Sequence, residues 1–367
     1  MEGMGIKELS VYKNKKVLIT GHTGFKGSWL TVWLSELGAD ITGFSLDPKT
    51  ERDNYLLCNL SNRITDIRGD IRNKSEVFEI FEKVKPEVVI HMAAQALVLG
   101  GYSNPLYTYE TNTLGTANIL EAIRNSNSVH TSILITTDKV YENKEWIWGY
   151  RENDPVGGFD PYSASKGASD IIIKSYRNSF FNPKKYLDHG KSISSVRAGN
   201  VIGGGDWSEN RIIPDCIKAI ENNKVIEIRN PAATRPWQHV LEPLGGYLLL
   251  GAKMIESPEK FSDDWNFGPN IENIVDVKSL VSTMIKQYNS GNWKDISNDN
   301  SPHEAHLLSL DISKAYYQLG WKPVLDFNDT VNYTVEWYKE YKEKDVYQIC
   351  KDQIKKYSEK WKLKEEN

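Results

Sequence analysis

Tyr162 and Lys166 stand four residues apart in Tyr-Ser-Ala-Ser-Lys. On a helix, positions i and i+4 share a face, so the phenol and the ammonium point the same way. A nearby ammonium favours phenolate and lowers the tyrosine pKa. Such a tyrosine can take a proton from a sugar or alcohol hydroxyl near neutral pH. A tyrosine and a lysine one turn apart are also common on solvated helices, so the pair gains weight only from its surroundings. Residues 136–139 read Thr-Thr-Asp-Lys and directly follow the apolar run 132–135. A hydroxyl, a carboxyl and an amine are thus adjacent at a strand end. The carboxyl can act as an acid, and a desolvated amine as a base. A surface Asp–Lys pair would read the same, but its position at the end of a strand argues for chemistry.

Gly21, Gly24 and Gly27 recur at three-residue spacing. Before them runs the apolar stretch 17–20. After them Trp29, Leu30, Trp33, Leu34 and Leu37 follow a helical period. The order is strand, tight turn, helix. The first glycine permits the turn, the second lets the backbone approach a pyrophosphate, and the third lets helix and sheet pack closely. The helix N-terminus favours the negative charge. Glycine loops alone are weak evidence. One set between a strand and a helix predicts a bound dinucleotide.

The elements that must position these residues alternate along the first half. Strands are predicted at 17–20, 40–44, 88–90, 132–136 and 192–197. Helices are predicted at 28–37, 75–83, 106–124 and 162–177. This alternation predicts a parallel sheet covered by helices on both faces. Such sheets bind ligands beyond the carboxyl ends of their strands. The informative residues cluster there, at 21–27, 91–95, 137–139 and 198–200. After Gly199 the pattern loosens through Gly203-Gly204-Gly205, with helices at 214–222, 244–254 and 277–288. The fold class expected is α/β, a Rossmann-type doubly wound parallel sheet with a smaller mixed α/β C-terminal substrate lobe. The dinucleotide domain is expected over 12–198, with a return segment at about 236–256. The lobe is expected over 199–235 and 257–345. Residues 346–367 are expected as a charged tail helix, solvated and frayed, with Tyr347, Ile349, Ile354 and Trp361 scattered through it.

Composition excludes several classes. The 367 residues carry a formal net charge of −4, with 40% apolar and 26% charged residues. That balance gives no general attraction to nucleic acid or to an anionic membrane, so an anionic ligand needs a local arginine cluster. The cysteines Cys58, Cys216 and Cys350 lie far apart with no CxxC pair. Neither a disulfide framework nor a metal site is expected. The first sixteen residues hold no apolar core, and no run approaches the roughly 20 apolar residues of a membrane helix. The expected setting is the cytoplasm.

Several strings carry a resemblance. They are Thr-Gly-His-Thr-Gly-Phe-Lys-Gly-Ser-Trp (20–29), Asp70-Ile71, His91-Met-Ala-Ala and Thr-Asp-Lys-Val-Tyr-Glu-Asn-Lys-Glu-Trp (137–146). With them stand Gly-Gly-Phe-Asp-Pro-Tyr-Ser-Ala-Ser-Lys (157–166), Arg-Ala-Gly-Asn-Val-Ile-Gly-Gly-Gly-Asp-Trp (197–207) and Thr-Arg-Pro-Trp-Gln-His-Val (234–240). Together they resemble the extended short-chain dehydrogenase/reductase superfamily, and within it the CDP-glucose 4,6-dehydratases, from about residue 15 to 338. The resemblance implies NAD as cofactor, a nucleotide-sugar substrate and a homodimer built on helices 106–124 and 162–177. It implies that hydride leaves carbon 4 of the glucose and later returns to carbon 6, with loss of water between. Tyr162 would take the hydroxyl proton, Thr137 would bond the carbon-4 oxygen, and Lys166 would hold the nicotinamide ribose. Asp138 would be the acid and Lys139 the base, where dTDP-glucose dehydratases carry a glutamate. Lys139 could instead stay charged and steer an oxyanion or water. The cofactor would be held by Gly21, Thr23, Gly24, Phe25, Lys26, Gly27, Asp70, Ile71, Ala93 and Ala94, with Tyr162 and Lys166. Gln95, Asn200, Arg211 and Arg235 would bind the substrate. Asn112 is read either as a helix hydrogen bond or as support for the site. His239 and His303 are read as packing residues.

Two departures from the pattern stand out. Leu99 and Gly101 replace an arginine and a serine of the family, which puts sugar specificity in question. Ser45 stands where a ribose-binding acid is expected and Asp47 follows two residues later, so NADP is not excluded. Sugar-nucleotide 4-epimerases and decarboxylases share the fold and the Tyr/Lys pair, but they need no acid and base for losing water. A non-catalytic NAD-binding scaffold could dispense with Tyr162, Lys166 or Thr137, and all three are present.

Overall fold

The computed structural model describes residues 6–297 and 307–365. Its centre is a seven-stranded sheet. Six of the strands are β1 (Lys16–Thr20), β2 (Asp40–Ser45), β3 (Thr65–Arg68), β4 (Val88–His91), β5 (Thr131–Ile135) and β6 (Ser192–Arg197). The seventh is Asp264–Asn266. The order across the sheet is β3-β2-β1-β4-β5-β6, then Asp264–Asn266, and every pairing is parallel. The order reverses between β1 and β4, which is the switch point where such sheets take ligands.

The apolar runs follow from burial on both faces. Along β1, Val17 and Ile19 enter one core while Leu18 enters another. In β4, Val88 and Ile90 face the first core and Val89 the second. In β5, Ile133 and Ile135 oppose Leu134 in the same way. Alternate side chains therefore need apolar character on both sides, and the period of two disappears from the sequence.

The predicted helices form, with shifts at their ends. Helix α1 spans Phe25–Glu36, and the Tyr162 helix spans Pro161–Ser179. The stretch read as one helix over 106–124 is divided. Pro105–Tyr109 and Gly115–Asn125 are α-helical, and Glu110–Leu114 between them is a π-turn that contains Asn112.

Two strands of the central sheet escaped the sequence reading. β3 is a short edge strand of mixed polarity, Thr-Asp-Ile-Arg, with no apolar period. Asp264–Asn266 pairs with β6, so a segment assigned to the second lobe completes the central sheet. The tail also differs from expectation. Val346–Glu365 is helical, and Cys350, Ile354, Tyr357 and Trp361 along it are buried. Its lysines and glutamates occupy the opposite face, which made the whole segment read as solvated.

Candidate active site

The β1 end forms the cradle. Gly21 has φ +77, and a Cβ there would come within 2.6 Å of the Ala93 nitrogen. A Cβ on Gly27 would sit 2.1 Å from the Gly21 carbonyl oxygen. Gly24 is the N-cap of α1, and no side chain caps the first turn. Open backbone N–H groups and the helix dipole thus face one point, which fits the pyrophosphate of a dinucleotide. Thr23 fixes the loop against β2: its hydroxyl lies 2.8 Å from Ser45 Oγ and donates to the Leu46 carbonyl at 3.0 Å. Ser45 does end β2, and Asp47 is held by Arg68 at 3.1 Å. Phe25 lies against Gly203. Asp70 is paired with Arg72, and the Ile71 side chain is buried against Gly115. Ala93 sits beside Gly21, and its N–H, with that of Met92, donates to Thr20 Oγ1 at 3.2 Å. Ala94 follows in the same half-buried turn.

Chain reversal after β5 places Thr137, Asp138 and Lys139, the groups expected to move protons. Thr137 opens a single tight turn, Asp138–Val140. Its hydroxyl donates to Asp138 Oδ1 at 2.9 Å and lies close enough to the Tyr162 phenol to favour its ionised form. Asp138 is buried against Gly199, where a Cβ would fall 1.9 Å from its Oδ2. Asn200, at φ +52, donates to that same oxygen at 3.3 Å. Lys139 is half-buried beside them. Thr137, Asp138, Tyr162 and Asn200 thus meet at one point.

The Tyr162–Lys166 pair behaves differently from expectation. Burial pushes the phenol up to about 12, against the pull of the nearby Thr137 hydroxyl. Lys166 Nζ donates to the Ile135 carbonyl at 2.8 Å, so its charge is spent on the sheet end. Burial, with the nearby Lys26 charge, brings Lys166 down to about 8. Lys26 is itself lowered to about 8 by burial and by Arg211, while Asp138 and Asp206 oppose the shift.

Among the described residues, the Asn112 side chain makes no hydrogen bond within its own helix and instead bridges two other elements. Its amide accepts from Gln95 N at 2.8 Å and donates to Gln95 O and to Ser165 Oγ at 3.0 and 2.8 Å. The π-turn aims this side chain outward to tie the loop after β4 to the Tyr162 helix. The Gln95 side chain is engaged within its own loop, bonding Leu97 and Thr108. Beyond it, Gly101 packs on the Tyr162 backbone, and a Cβ there would lie 2.9 Å from Tyr162 N. A serine at 101 would displace this helix. Arg211 is held by Asp206 at 2.9 Å and acts electrostatically on Tyr162. Arg235 sits in the short Thr234–Pro236 strand, donating to the Thr234 carbonyl at 2.8 Å. His239 is buried between Trp29 and Tyr333 and is brought down to about 3 by burial, so it packs as a neutral ring. His303 lies outside the described residues. Among the described residues no cluster could hold a metal ion.

Sequence reasoning missed Asp170 and gave no role of their own to Arg197 and Gly199, although both lie in the 197–207 string; Arg197 pairs with Asp170, and Gly199 packs on Asp138. Asp170 lies one turn past Lys166, so helical period could have found it. Nothing in the sequence distinguishes Gly199 from a turn glycine.

A family model described as GDP-mannose 4,6 dehydratase matches residues 18–334. The chain is 45% identical to the CDP-glucose 4,6-dehydratase of Salmonella typhimurium over 340 residues, 92% of this chain and 94% of that protein. Among solved structures it resembles the epimerase Mth375 from Methanothermobacter thermautotrophicus, with TM-score 0.77, 21% identity, and 94% and 97% of the two chains covered. It also resembles the dTDP-glucose 4,6-dehydratase of Streptomyces venezuelae, solved with NAD and TYD bound. There the TM-score is 0.74 at 21% identity, with 89% and 97% of the chains covered. These two likenesses concern the fold.

Proposed function

The chain belongs to the GDP-mannose 4,6-dehydratase family, and from that premise we propose that it removes water from CDP-glucose, giving CDP-4-keto-6-deoxyglucose with NAD as an internally recycled carrier. The observation that carries the reaction class is the meeting of Thr137, Asp138 and Tyr162 in one buried site. Epimerisation at carbon 4 needs a tyrosine and a hydride carrier alone. Elimination of water needs a further acid and base, and Asp138 and Lys139 supply both. The choice of CDP-glucose rests on the 45% identity to the Salmonella enzyme.

Bound NAD supplies a hydride acceptor that later returns what it took. Tyr162 takes the carbon-4 hydroxyl proton while Thr137 bonds the same oxygen. The ketone acidifies the hydrogen on carbon 5, and Lys139 removes it. Asp138 protonates the departing carbon-6 hydroxyl, and when the hydride returns to carbon 6 the proton held by Lys139 goes back to carbon 5. The Gly21–Gly27 loop, Asp70, Ile71, Ala93 and Ala94 hold the cofactor. Arg211 and Arg235 suit the substrate's diphosphate, because guanidinium forks match phosphate oxygens. Asn200 faces the sugar, and Gln95 shapes the loop beside it. Residues 199–235 and 257–345 form the nucleotide-sugar lobe, apart from the strand that joins the sheet.

The assembly is a homodimer. Leu106, Leu114 and Ile171 are exposed by 74, 58 and 58% in the 106–124 and 162–177 stretches expected to meet a second copy. Ile173 faces the core instead. Light scattering should give twice the monomer mass at micromolar protein, and a monomer would reject this. The cytoplasm is the setting, in keeping with three buried free thiols.

The function is tested by offering CDP-, dTDP-, GDP- and UDP-glucose and weighing the products. CDP-glucose should lose one water. Loss of water from none of them rejects the reading and leaves a 4-epimerase as the better assignment.

A further inference from the structure

The Tyr162 helix carries a third ionisable residue on its site-facing side. Asp170 follows Lys166 by one turn and Tyr162 by two. It is buried, and its two oxygens reach different parts of the sheet end. Thr136 Oγ1 lies 3.4 Å from Oδ1 and 3.2 Å from the Val196 carbonyl on β6, and shares its one proton between them. Arg197 Nη2 pairs with Oδ2. Thr136 immediately precedes Thr137 and Asp138. Arg197 immediately precedes the 198–200 segment that packs on Asp138. One carboxylate therefore joins the segments that carry the acid, the phenol and Asn200.

The far side of Arg197 is fixed as well. Its Nη1 donates to Tyr141 OH at 2.6 Å and to the Glu152 carbonyl at 3.0 Å. Asp264 lies 3.7 Å from it and is itself paired with Arg177 at 2.6 Å. A buried ion pair is a costly way to fill space, since apolar residues of similar volume often stabilise as well or better. Such a pair under a reaction site calls for another reason.

We propose that Asp170 is a positioning residue of the reaction, which holds acid, phenol and Asn200 in register through Thr136 and Arg197 and sets a negative charge opposite the Lys166 ammonium. This rests on the dehydratase reading only in taking Tyr162 and Lys166 as the redox pair. The groups facing Lys166 are few. Asp170 and Tyr162 share its helix. Lys26 faces it from α1, and His91 from β4 is a neutral ring tied to Thr20 and Thr116. The Ile135 carbonyl approaches from β5. Lys26 lowers the proton affinity of Lys166, and Asp170 raises it. Removing the Asp170 charge should therefore leave Lys166 neutral at lower pH. Removing the Lys26 charge should do the opposite.

The test is the pH dependence of cofactor reduction in a single turnover with CDP-glucose and saturating NAD. In Asp170→Asn the alkaline limb should move to lower pH, with a rate loss of about tenfold near pH 8 that recovers toward about pH 6.5. In Lys26→Met the limb should move to higher pH. Cofactor content and melting temperature establish that each variant is folded and loaded. If Asp170→Asn fails to fold because Arg197 is left uncompensated, Asp170→Asn/Arg197→Gln removes both charges and should move the limb in the same direction, by less, because loss of the Arg197 charge partly offsets the effect. A folded variant whose limb stays at the wild-type pH overturns the proposal, and so does a uniform rate loss at every pH. Wild-type protein that reduces no cofactor with any nucleotide sugar rejects the functional reading instead.

Discussion

Tyr162 is held by opposing influences. Burial makes its phenol a poor acid, and the nearby Thr137 hydroxyl only softens that. The lysine expected to activate it is turned to the Ile135 carbonyl. The phenol by itself thus stays protonated near neutral pH, and a positive charge beside it, such as an oxidised nicotinamide would supply, would favour its ionisation. The two halves of the reaction can be separated by substitution. Tyr162→Phe should show no cofactor reduction with CDP-glucose. Lys139→Met should spare that step, so NADH accumulates in near-ultraviolet absorbance while water loss falls by about 10²- to 10⁴-fold. Near wild-type dehydration by Lys139→Met would remove Lys139 from the role of base. Gly199→Ala makes a companion case. Its Cβ would overlap Asp138 Oδ2 at 1.9 Å, so the acid must swing away. Cofactor reduction should survive while elimination drops by about a hundredfold, because small misplacements of a reacting group are costly. Unchanged elimination would mean that Asp138 does not donate the proton.

Among the elements, the C-terminal helix shows how composition misleads. Its tyrosine and tryptophan stack edge-on, Tyr357 with Trp33 at 5.7 Å and Trp361 with Tyr357 at 5.8 Å. Trp361 also lies against Gly245, which leaves room for the ring. The charged face then meets α1 at its rim, where Lys351 pairs with Glu36 at 2.8 Å. Such rim pairs contribute little, and the buried aromatics carry the docking. Trp361→Ala should cost about 3–5 kcal/mol, read as a lower urea midpoint at unchanged slope. A variant with the wild-type midpoint would show that the helix is not part of the cooperative unit.

Across the whole molecule, Glu242 is the point where the parts join. It is buried and accepts from Val324 N at 2.8 Å, Leu325 N at 2.5 Å and Tyr357 OH at 2.8 Å. A helix packed on the sheet is thereby tied to the loop before the last helices and to the tail. Burial raises its carboxyl to about 7 despite these donors. The native state therefore holds a proton between about pH 4.5 and 7 that the unfolded chain releases. Stability from this group is complete below the unfolded value and is lost as pH rises through 7, by about 3 kcal/mol. Glu242→Gln keeps an acceptor for Val324 and Leu325 and should abolish this slope. Denaturant melts of both proteins from pH 5 to 7.5 measure it. Parallel pH dependence in the two would reject Glu242 as its origin.

The sequence by itself determined the glycine loop, the strand–helix alternation and the Tyr162/Lys166 spacing. Each is local: a turn needing glycine, a period set by one element, a face shared within one helix. The order of the strands across the sheet was decided by the tertiary structure. Tertiary structure decided what depends on distant partners. β3 and Asp264–Asn266 are strands because a neighbour offers them a ladder, and their own residues show no period. The tail helix packs because α1 and Gly245 present an apolar surface that no tail residue reveals. Asp138 depends on Gly199, and Lys166 on the Ile135 carbonyl, across gaps of tens of residues. The sequence names the groups that can move protons. Their charge states follow from burial and from neighbours brought together by folding, which no spacing along the chain encodes.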